Sequence, residues 1–213
     1  MTAKRRALVV LDRLAHLRGM PPAVAFFQAR AVVRAARSGD AFALQAASQP
    51  SDVRGLLRLA EGRRTVVELG TATGWTTASL VLADRARTVT SYDPVVQPGR
   101  ARYAALVRPQ ASARMRFVQD TGEAGAARWD GAPVDLLFID STHTREDTLA
   151  EFRAWRPNLA PGARVVFHDY DNPAFPGVAE AVEELDLPGR VDGGSYVGEI
   201  GPRSDQPTAS VKP

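Results

Sequence analysis

Apolar and polar positions along this chain follow two alternating rhythms. Short apolar, β-branched runs fall at 64–69, 87–92, 114–119, 134–139 and 163–168 and read as strands. The stretches near 75–84, 98–108, 122–128, 144–157 and 174–186 place apolar residues three and four apart and read as helices. Val134-Asp135-Leu136-Leu137-Phe138-Ile139 and Arg164-Val165-Val166-Phe167 are nearly continuous apolar runs, as strands covered on both faces require. Such alternation predicts an α/β fold, a doubly wound and mostly parallel sheet of about seven strands. Its last two strands would be a short hairpin within 189–200, turning at Gly193-Gly194.

The first 47 residues differ. They read as helical, broken at Gly19-Met20-Pro21-Pro22 and loosened at Ser38-Gly39-Asp40. Ser51-Asp52 can cap a further helix running to about Glu61, with Gly62 as its stop. The expected organisation is a helical lid or dimerisation segment over 1–47 and a ligand-binding domain over 48–200. A Pro/Ser/Thr-rich tail over 201–213 is expected to be disordered.

Composition narrows the class without naming a function. At 213 residues, with 45% hydrophobic and 24% charged residues, the chain suits one globular domain. Cysteine is absent, which excludes disulfides and thiolate metal sites and fits a cytoplasmic location. The apolar run 7–11 ends at Asp12-Arg13, too short for a signal sequence, and no segment approaches a membrane span. Only Lys4 and Lys212 are lysines, so 25 of the 27 basic residues are arginine, against a net charge of just +3. Arg5, Arg6, Arg13, Arg18, Arg30, Arg34 and Arg37 alternate with apolar residues at helical spacing. They read as the solvated face of amphipathic helices, which speaks against a nucleic-acid partner.

The stretch Thr65-Val66-Val67-Glu68-Leu69-Gly70-Thr71-Ala72-Thr73-Gly74-Trp75 carries the first candidate chemistry. A strand passing through a glycine turn into a helix presents free backbone N–H groups to a ligand. Glu68 before the turn would repel a pyrophosphate and favour a cation. Aligned on Gly70, a dinucleotide fingerprint would need glycines at Ala72 and Trp75, so NAD fits poorly.

Ligands of doubly wound sheets bind outside the carboxyl ends of the strands. Glu68, Asp93, Asp120, Asp140 and His168-Asp169 stand at those ends, one set per predicted strand. Asp93 can accept both hydroxyls of a ribose, and Asp120 lies where an adenine amino group would need an acceptor.

The glycine segment resembles motif I of class I S-adenosylmethionine (SAM) methyltransferases, in the variant of the catechol and caffeoyl-CoA O-methyltransferase branch. Ser48-Gln49-Pro50-Ser51-Asp52-Val53-Arg54-Gly55-Leu56-Leu57 resembles the segment that precedes motif I there. Asp135–His143 is similar to the branch's F-I-D-G-D-H stretch. Arg164–Tyr170 with Pro176-Gly177-Val178 resembles its fifth strand and exit loop, closest to the small bacterial methyltransferase domain 24. The resemblance spans about Ala46 to Ala181 and implies a Rossmann-like fold with SAM as cofactor. It implies cofactor contacts from Ser48, Glu68, Gly70, Thr71, Ala72, Gly74, Trp75, Asp93, Asp120, Thr121 and Asp140.

The reaction centre would lie at Asp140, His143, His168 and Asp169. In the branch a metal is held by the acid after strand four and an Asp-Asn pair after strand five. Here His168-Asp169 occupies the pair, so Asp140, His168 and Asp169 could hold Mg²⁺ or another divalent cation. The alternative is a metal-free general base, His168 before His143, since imidazole titrates near neutral pH. The expected function is SAM-dependent methyl transfer to a small molecule, most readily at a hydroxyl, in an enzyme able to form a homodimer. RNA or protein methylation, and a non-catalytic SAM-binding protein, stand as alternatives.

Overall fold

A computed structural model describes residues 2–201; the tail, apart from Gly201, lies outside the described residues. Four helices precede the sheet: α1 (Ala3–Ala15), α2 (Pro22–Ser38), α3 (Ala41–Ala46) and α4 (Pro50–Leu59). Pro22 starts α2 at a position where its missing N–H costs nothing, and Gly39 ends it at φ 69°. The Asp40 side chain caps α3 by accepting from the Ala43 N–H at 2.9 Å. α4 starts earlier than expected, at Pro50, with Gln49 in the capping position and no side-chain cap. Asp52 therefore lies inside the first turn, and its carboxylate is not spent on capping.

The remainder alternates as β1 (Thr65–Leu69), α5 (Trp75–Ala83), β2 (Thr88–Tyr92), α6 (Arg100–Ala104), α7 (Pro109–Ser112) and β3 (Met115–Val118). It continues with α8 (Gly122–Ala127), β4 (Val134–Ile139), α9 (Arg145–Trp155), β5 (Leu159–Phe167), α10 (Pro176–Leu185), β6 (Gly189–Asp192) and β7 (Ser195–Glu199). The seven strands form one sheet in the order β3-β2-β1-β4-β5-β7-β6. The first five are parallel, and β7 runs antiparallel to both β5 and β6. This is the doubly wound sheet with a terminal hairpin that the alternation predicted. Gly193 and Gly194 turn the hairpin with φ 58° and 82°, which side chains would resist.

Two boundaries differ from expectation. The helix expected over 98–108 is shorter: α6 ends at Ala104 and passes into turns bonded three residues back at Leu106 and Val107, and Pro109 then starts the separate α7. β5 begins at Leu159 instead of 163, pairing with Val134 ahead of a register shift that accompanies Gly162 at φ 75°.

Each face of the sheet has its own core. Val66, Leu136, Phe138 and Val166 pack against α2, α4 and α5, while Val67, Leu69, Leu137 and Phe167 pack against α9 and α10. α5 is apolar all round because it is enclosed between sheet and α2, where Gln28 Nε2 donates to Ser79 Oγ at 2.9 Å. Arg13, expected on a solvated face, is 1% exposed. Its guanidinium donates to the carbonyls of Leu44, Ala47 and Ser48, which ties α1 to the turn leading into α4. Burial lowers its pKa, as expected for a cation held largely by neutral carbonyls.

The sheet ladder runs one residue past several strands. Gly70 N–H donates to Tyr92 O at 2.9 Å, Asp93 to Val118 O at 3.1 Å, Asp140 to Leu69 O at 2.8 Å and His168 to Ile139 O at 3.0 Å. These bonds hold the four residues side by side along the carboxyl edge. The chain leaves β1 for β2 on one side and returns to β4 on the other, and at that reversal the sheet opens a crevice.

Candidate active site

A cavity of about 780 Å³ opens over this edge, a volume typical of small-molecule sites. Its floor is the turn after β1. Gly70 has φ 93°, and a Cβ there would stand 1.9 Å from the Asp140 carbonyl oxygen, so only glycine permits this approach of β1 to β4. Gly74 closes the turn by donating to Thr71 O at 2.7 Å, and its own missing Cβ makes room for the Phe117 ring. It does not line the cavity. No side chain caps α5, so the first N–H groups of that helix remain available to an anionic group. Ser48 Oγ, 3.1 Å from Thr76 Oγ1, stands beside them.

Thr71, Ala72, Asp93 and Thr121 line the same cavity towards β2 and β3. Asp93 is already engaged: it accepts from the N–H groups of Ala72 and Val95 at 2.9 and 2.8 Å, and from Arg100 at 3.2 Å. Its Oδ1, with a single donor, is the oxygen left with capacity for a hydroxyl.

Glu68 and Asp120, expected to touch the cofactor, do not line the cavity. Glu68 is 1% exposed and lies beneath the turn, outside the cavity, where it accepts from Thr77 Oγ1. Burial, opposed by hydrogen bonds from Ser91 and Thr77, pushes its carboxyl up to about 7. It braces the turn and does not present a charge to a ligand. Asp120 also lies off the cavity, ion-paired with Arg128. Trp75 lines the cavity as expected, while its indole also packs into the core against Tyr103, with ring centroids 5.2 Å apart.

A testable consequence follows from Glu68. A folded carboxyl at about 7, against about 4.5 unfolded, costs no stability below the unfolded value. The cost grows between the two and levels off above 7 at about 3 kcal/mol. Glu68→Gln should therefore match the native chain in urea unfolding at pH 4 and exceed it in stability at pH 8. Equal stability at both pH values would show that Glu68 is solvated.

At the β4 and β5 ends the strands and two left-handed residues bring four side chains together. His143 (φ 62°) and Asp169 (φ 59°), with Ala72 (φ 43°) in the glycine turn, are three of the four non-glycine residues with positive φ among the described residues. All three line the cavity, as strained backbone often does at working sites. Asp140 Oδ1 lies 3.1 Å from both His143 Nε2 and His168 Nδ1. Asp169 Oδ2 lies 3.3 and 3.2 Å from the same nitrogens. One ligand atom from each of the four residues falls within 4.8 Å of every other. Asp169 is further fixed by Asn172 Nδ2 at 2.9 Å, and His143 stacks on Phe175 at 4.4 Å.

The electrostatics of the cluster are those of a trapped cation. Burial opposes a charge on His168, but Asp140, Asp169 and Asp52 overcome it and raise the imidazolium to about 12. The bond from His168 holds the Asp169 carboxyl at about 2. For Asp140 burial works the other way, yet the two histidines lower its pKa below the ordinary range. His168 Nδ1 is buried and, despite its short distances to both carboxylates, makes no aligned hydrogen bond. Set among three carboxylates, His168 is favoured in its charged form.

The sequence expectation missed several residues of this end. Asp52 Oδ2 stands 3.6 Å from His168 Nε2, having read only as a helix cap. Phe175 reaches His143 because Gly177 lets α10 close on the start of α9: a Cβ there would meet Arg145 N at 2.5 Å. Glu151, from the middle of α9, accepts from Ser141 Oγ at 2.6 Å, and burial raises its carboxyl to about 7. A helical period shows that a residue faces inward; it does not show that the inward face is a cavity.

Residues 67–170 match a family model described as a methyltransferase domain, the family 24 that the motifs resembled. The chain is a SAM-dependent methyltransferase. A search of curated proteins finds no match. Among solved structures, the methyltransferase is similar in fold to cofactor-bound Rv0187 from MTB (TM-score 0.61, 21% identity, covering 86% of this chain and 89% of that one). It is also similar to CalS11, a TDP-rhamnose 3′-O-methyltransferase of calicheamicin biosynthesis (TM-score 0.61, 17% identity, 94% and 93% covered). A third is the O-methyltransferase from Bacillus cereus in complex with SAH (TM-score 0.60, 15% identity, 89% and 96% covered). No helix of the methyltransferase's described residues is long and apolar enough to cross a membrane.

Proposed function

We propose that the methyltransferase transfers its methyl group to a hydroxyl of a small molecule in the cytoplasm. The observation that carries this reading is the placement of the Asp140–His143–His168–Asp169 cluster in the same cavity as the glycine turn. SAM supplies an electrophilic methyl on a sulfonium. The uncapped start of α5 with Ser48 suits its carboxylate, and Asp93 suits its ribose. The turn at Gly70 and the walls from α3 hold the two reactants in line and exclude water. Transfer of that methyl to an acceptor oxygen would release the cofactor as a neutral thioether. The hydroxyl proton must leave, and His143 beside Asp140 and Asp169 is the side chain placed to accept it. O-methyl transfer is also the activity printed for the CalS11 and Bacillus cereus neighbours.

The four side chains suit a divalent cation. Two carboxylates facing each other across two imidazoles require a positive charge between them, and the orphaned His168 Nδ1 is aimed at that point. Two nitrogen and two oxygen donors favour a transition dication over Mg²⁺, which prefers oxygen alone. Such an ion would lower the pKa of an acceptor hydroxyl. Without it, the proton on His168 fills the same role of balancing the carboxylates.

Calorimetric titration with SAH tests the cofactor; absence of binding at millimolar concentration would remove this reading. Thermal unfolding with Zn²⁺, Mn²⁺ or Mg²⁺ tests the metal. An ion at a hundredfold its Kd should stabilise by about 2.7 kcal/mol. Zn²⁺ or Mn²⁺ should raise Tm more than Mg²⁺, and Asp169→Asn should remove the effect. No rise with any of the three would leave the cluster to His143 alone.

A further inference from the structure

The cavity has the opposite charge to the chain that builds it. The protein carries a formal +3, yet among the described residues no lysine or arginine lines the cavity. Seven carboxylic side chains and two histidines do. A cavity that the described residues line with carboxylates and no guanidinium disfavours a phosphate, a nucleotide sugar or a carboxylate.

The negative charge is unevenly answered. On the cofactor side, Asp93 is neutralised by Arg100 and two backbone N–H groups. On the side of β4 and β5, Asp140 and Asp169 share two histidines, while Asp52 accepts from Ser51 Oγ at 3.0 Å and meets a cation only at the far nitrogen of His168, 3.6 Å away. Asp147 and Glu123 add two further carboxylic side chains to the lining. A dication at the histidine–aspartate cluster would balance Asp140 and Asp169 and still leave Asp52, Asp147 and Glu123. Two large apolar rings also line the cavity, Phe42 from α3 and Phe175 before α10, left 46% and 37% exposed, and Phe175 stacks on His143 of the cluster. Aromatic faces next to carboxylates favour an organic cation, by ring quadrupole and charge together.

Resting on the O-methyltransferase reading, we propose that the acceptor is a small hydroxylated molecule bearing an ammonium group. Its apolar body lies against Phe42 and Phe175, its ammonium points to Asp52, and its hydroxyl reaches the Asp140–His143 end. Anionic and nucleotide-linked acceptors are disfavoured by the same charges. The acceptor class thus differs from the nucleotide sugar printed for CalS11, although the folds agree.

The test uses the full-length protein saturated with SAH and three probes with one ring system: dopamine, 4-methylcatechol and 3,4-dihydroxybenzoate. Calorimetry should rank them ammonium, neutral, carboxylate, with dopamine about five- to tenfold tighter than 4-methylcatechol, as expected for a partly exposed ion pair. Asp52→Asn should shrink that gap to about twofold while SAH affinity is retained. Failure of SAH itself to bind would overturn the methyltransferase cofactor reading. SAH binding with equal or reversed affinity for the probes, with no effect of Asp52→Asn, or with no probe bound up to millimolar concentration would overturn the acceptor inference alone.

Discussion

The Gly70→Ala variant is expected to lose more than about 4 kcal/mol of folding stability, a penalty reached only by a few named mechanisms. Two of them act together here. The new methyl would sit 1.9 Å from the Asp140 carbonyl oxygen and 2.6 Å from its carbon, so backbone must move against backbone. The residue would also have to hold φ 93°, where L side chains are strained. The displaced carbonyl belongs to the strand end that carries Asp140, so SAH binding should fail together with the fold. Gly62→Ala is the control. Gly62 has φ 73° with nothing within 4 Å of the added carbon, so it should cost only the conformational strain of about 1–2 kcal/mol. Urea unfolding of the two variants separates these effects, and similar losses for both would deny the close approach of β1 to β4.

Asp140→Asn should have the largest effect on chemistry without one on the fold. Asp140 touches both histidines at 3.1 Å, and its second oxygen lies 3.4 Å from Ser48 Oγ. An amide keeps the shape and removes the charge that raises His168 and orients His143. Turnover of an accepted substrate should fall by about 10²- to 10⁴-fold, the usual worth of positioned acid–base groups. SAH affinity should change by less than about tenfold, roughly 1.4 kcal/mol, because the backbone N–H of Asp140 still holds its place in the ladder. The His168 imidazole should titrate below its native value of about 12, since its strongest counter-charge is gone. Proton NMR of the histidine C–H signals reads that shift directly. Undiminished turnover with a lowered His168 would make the cluster a structural feature instead of the reaction centre.

These two residues also show where sequence reading reaches and where it stops. Gly70 was legible because the need for glycine is local: a strand, a reversal and a helix start within eleven residues of chain. The acids and the histidine at the strand ends were legible as a group for a similar reason. A parallel strand has one carboxyl end, and the residue after it stands on the ligand side of the sheet whatever its neighbours are. That rule found Asp93, Asp140 and His168-Asp169.

The same rule overreached at Glu68 and Asp120, because it places a residue at an edge without fixing which way its side chain turns. Thr77 and Ser91 draw Glu68 under the turn, and Arg128 draws Asp120 away; all three partners lie outside the strand ends they act on. Arg13 shows the converse. Its spacing on α1 is that of a solvated face, yet three carbonyls 31 to 35 residues ahead give a buried guanidinium its bonds.

The sequence by itself determined the sheet, the glycine turn and the family, since each rests on periodicity or on short motifs whose geometry is local. Only the tertiary structure decided what the site is electrically. It brings His143 and His168 onto one pair of carboxylates, sets Asp52 beside them, and leaves no arginine of the described residues lining the cavity. Charge in a cavity is a sum over side chains far apart in sequence, each free to turn in or out, and no linear pattern fixes that sum.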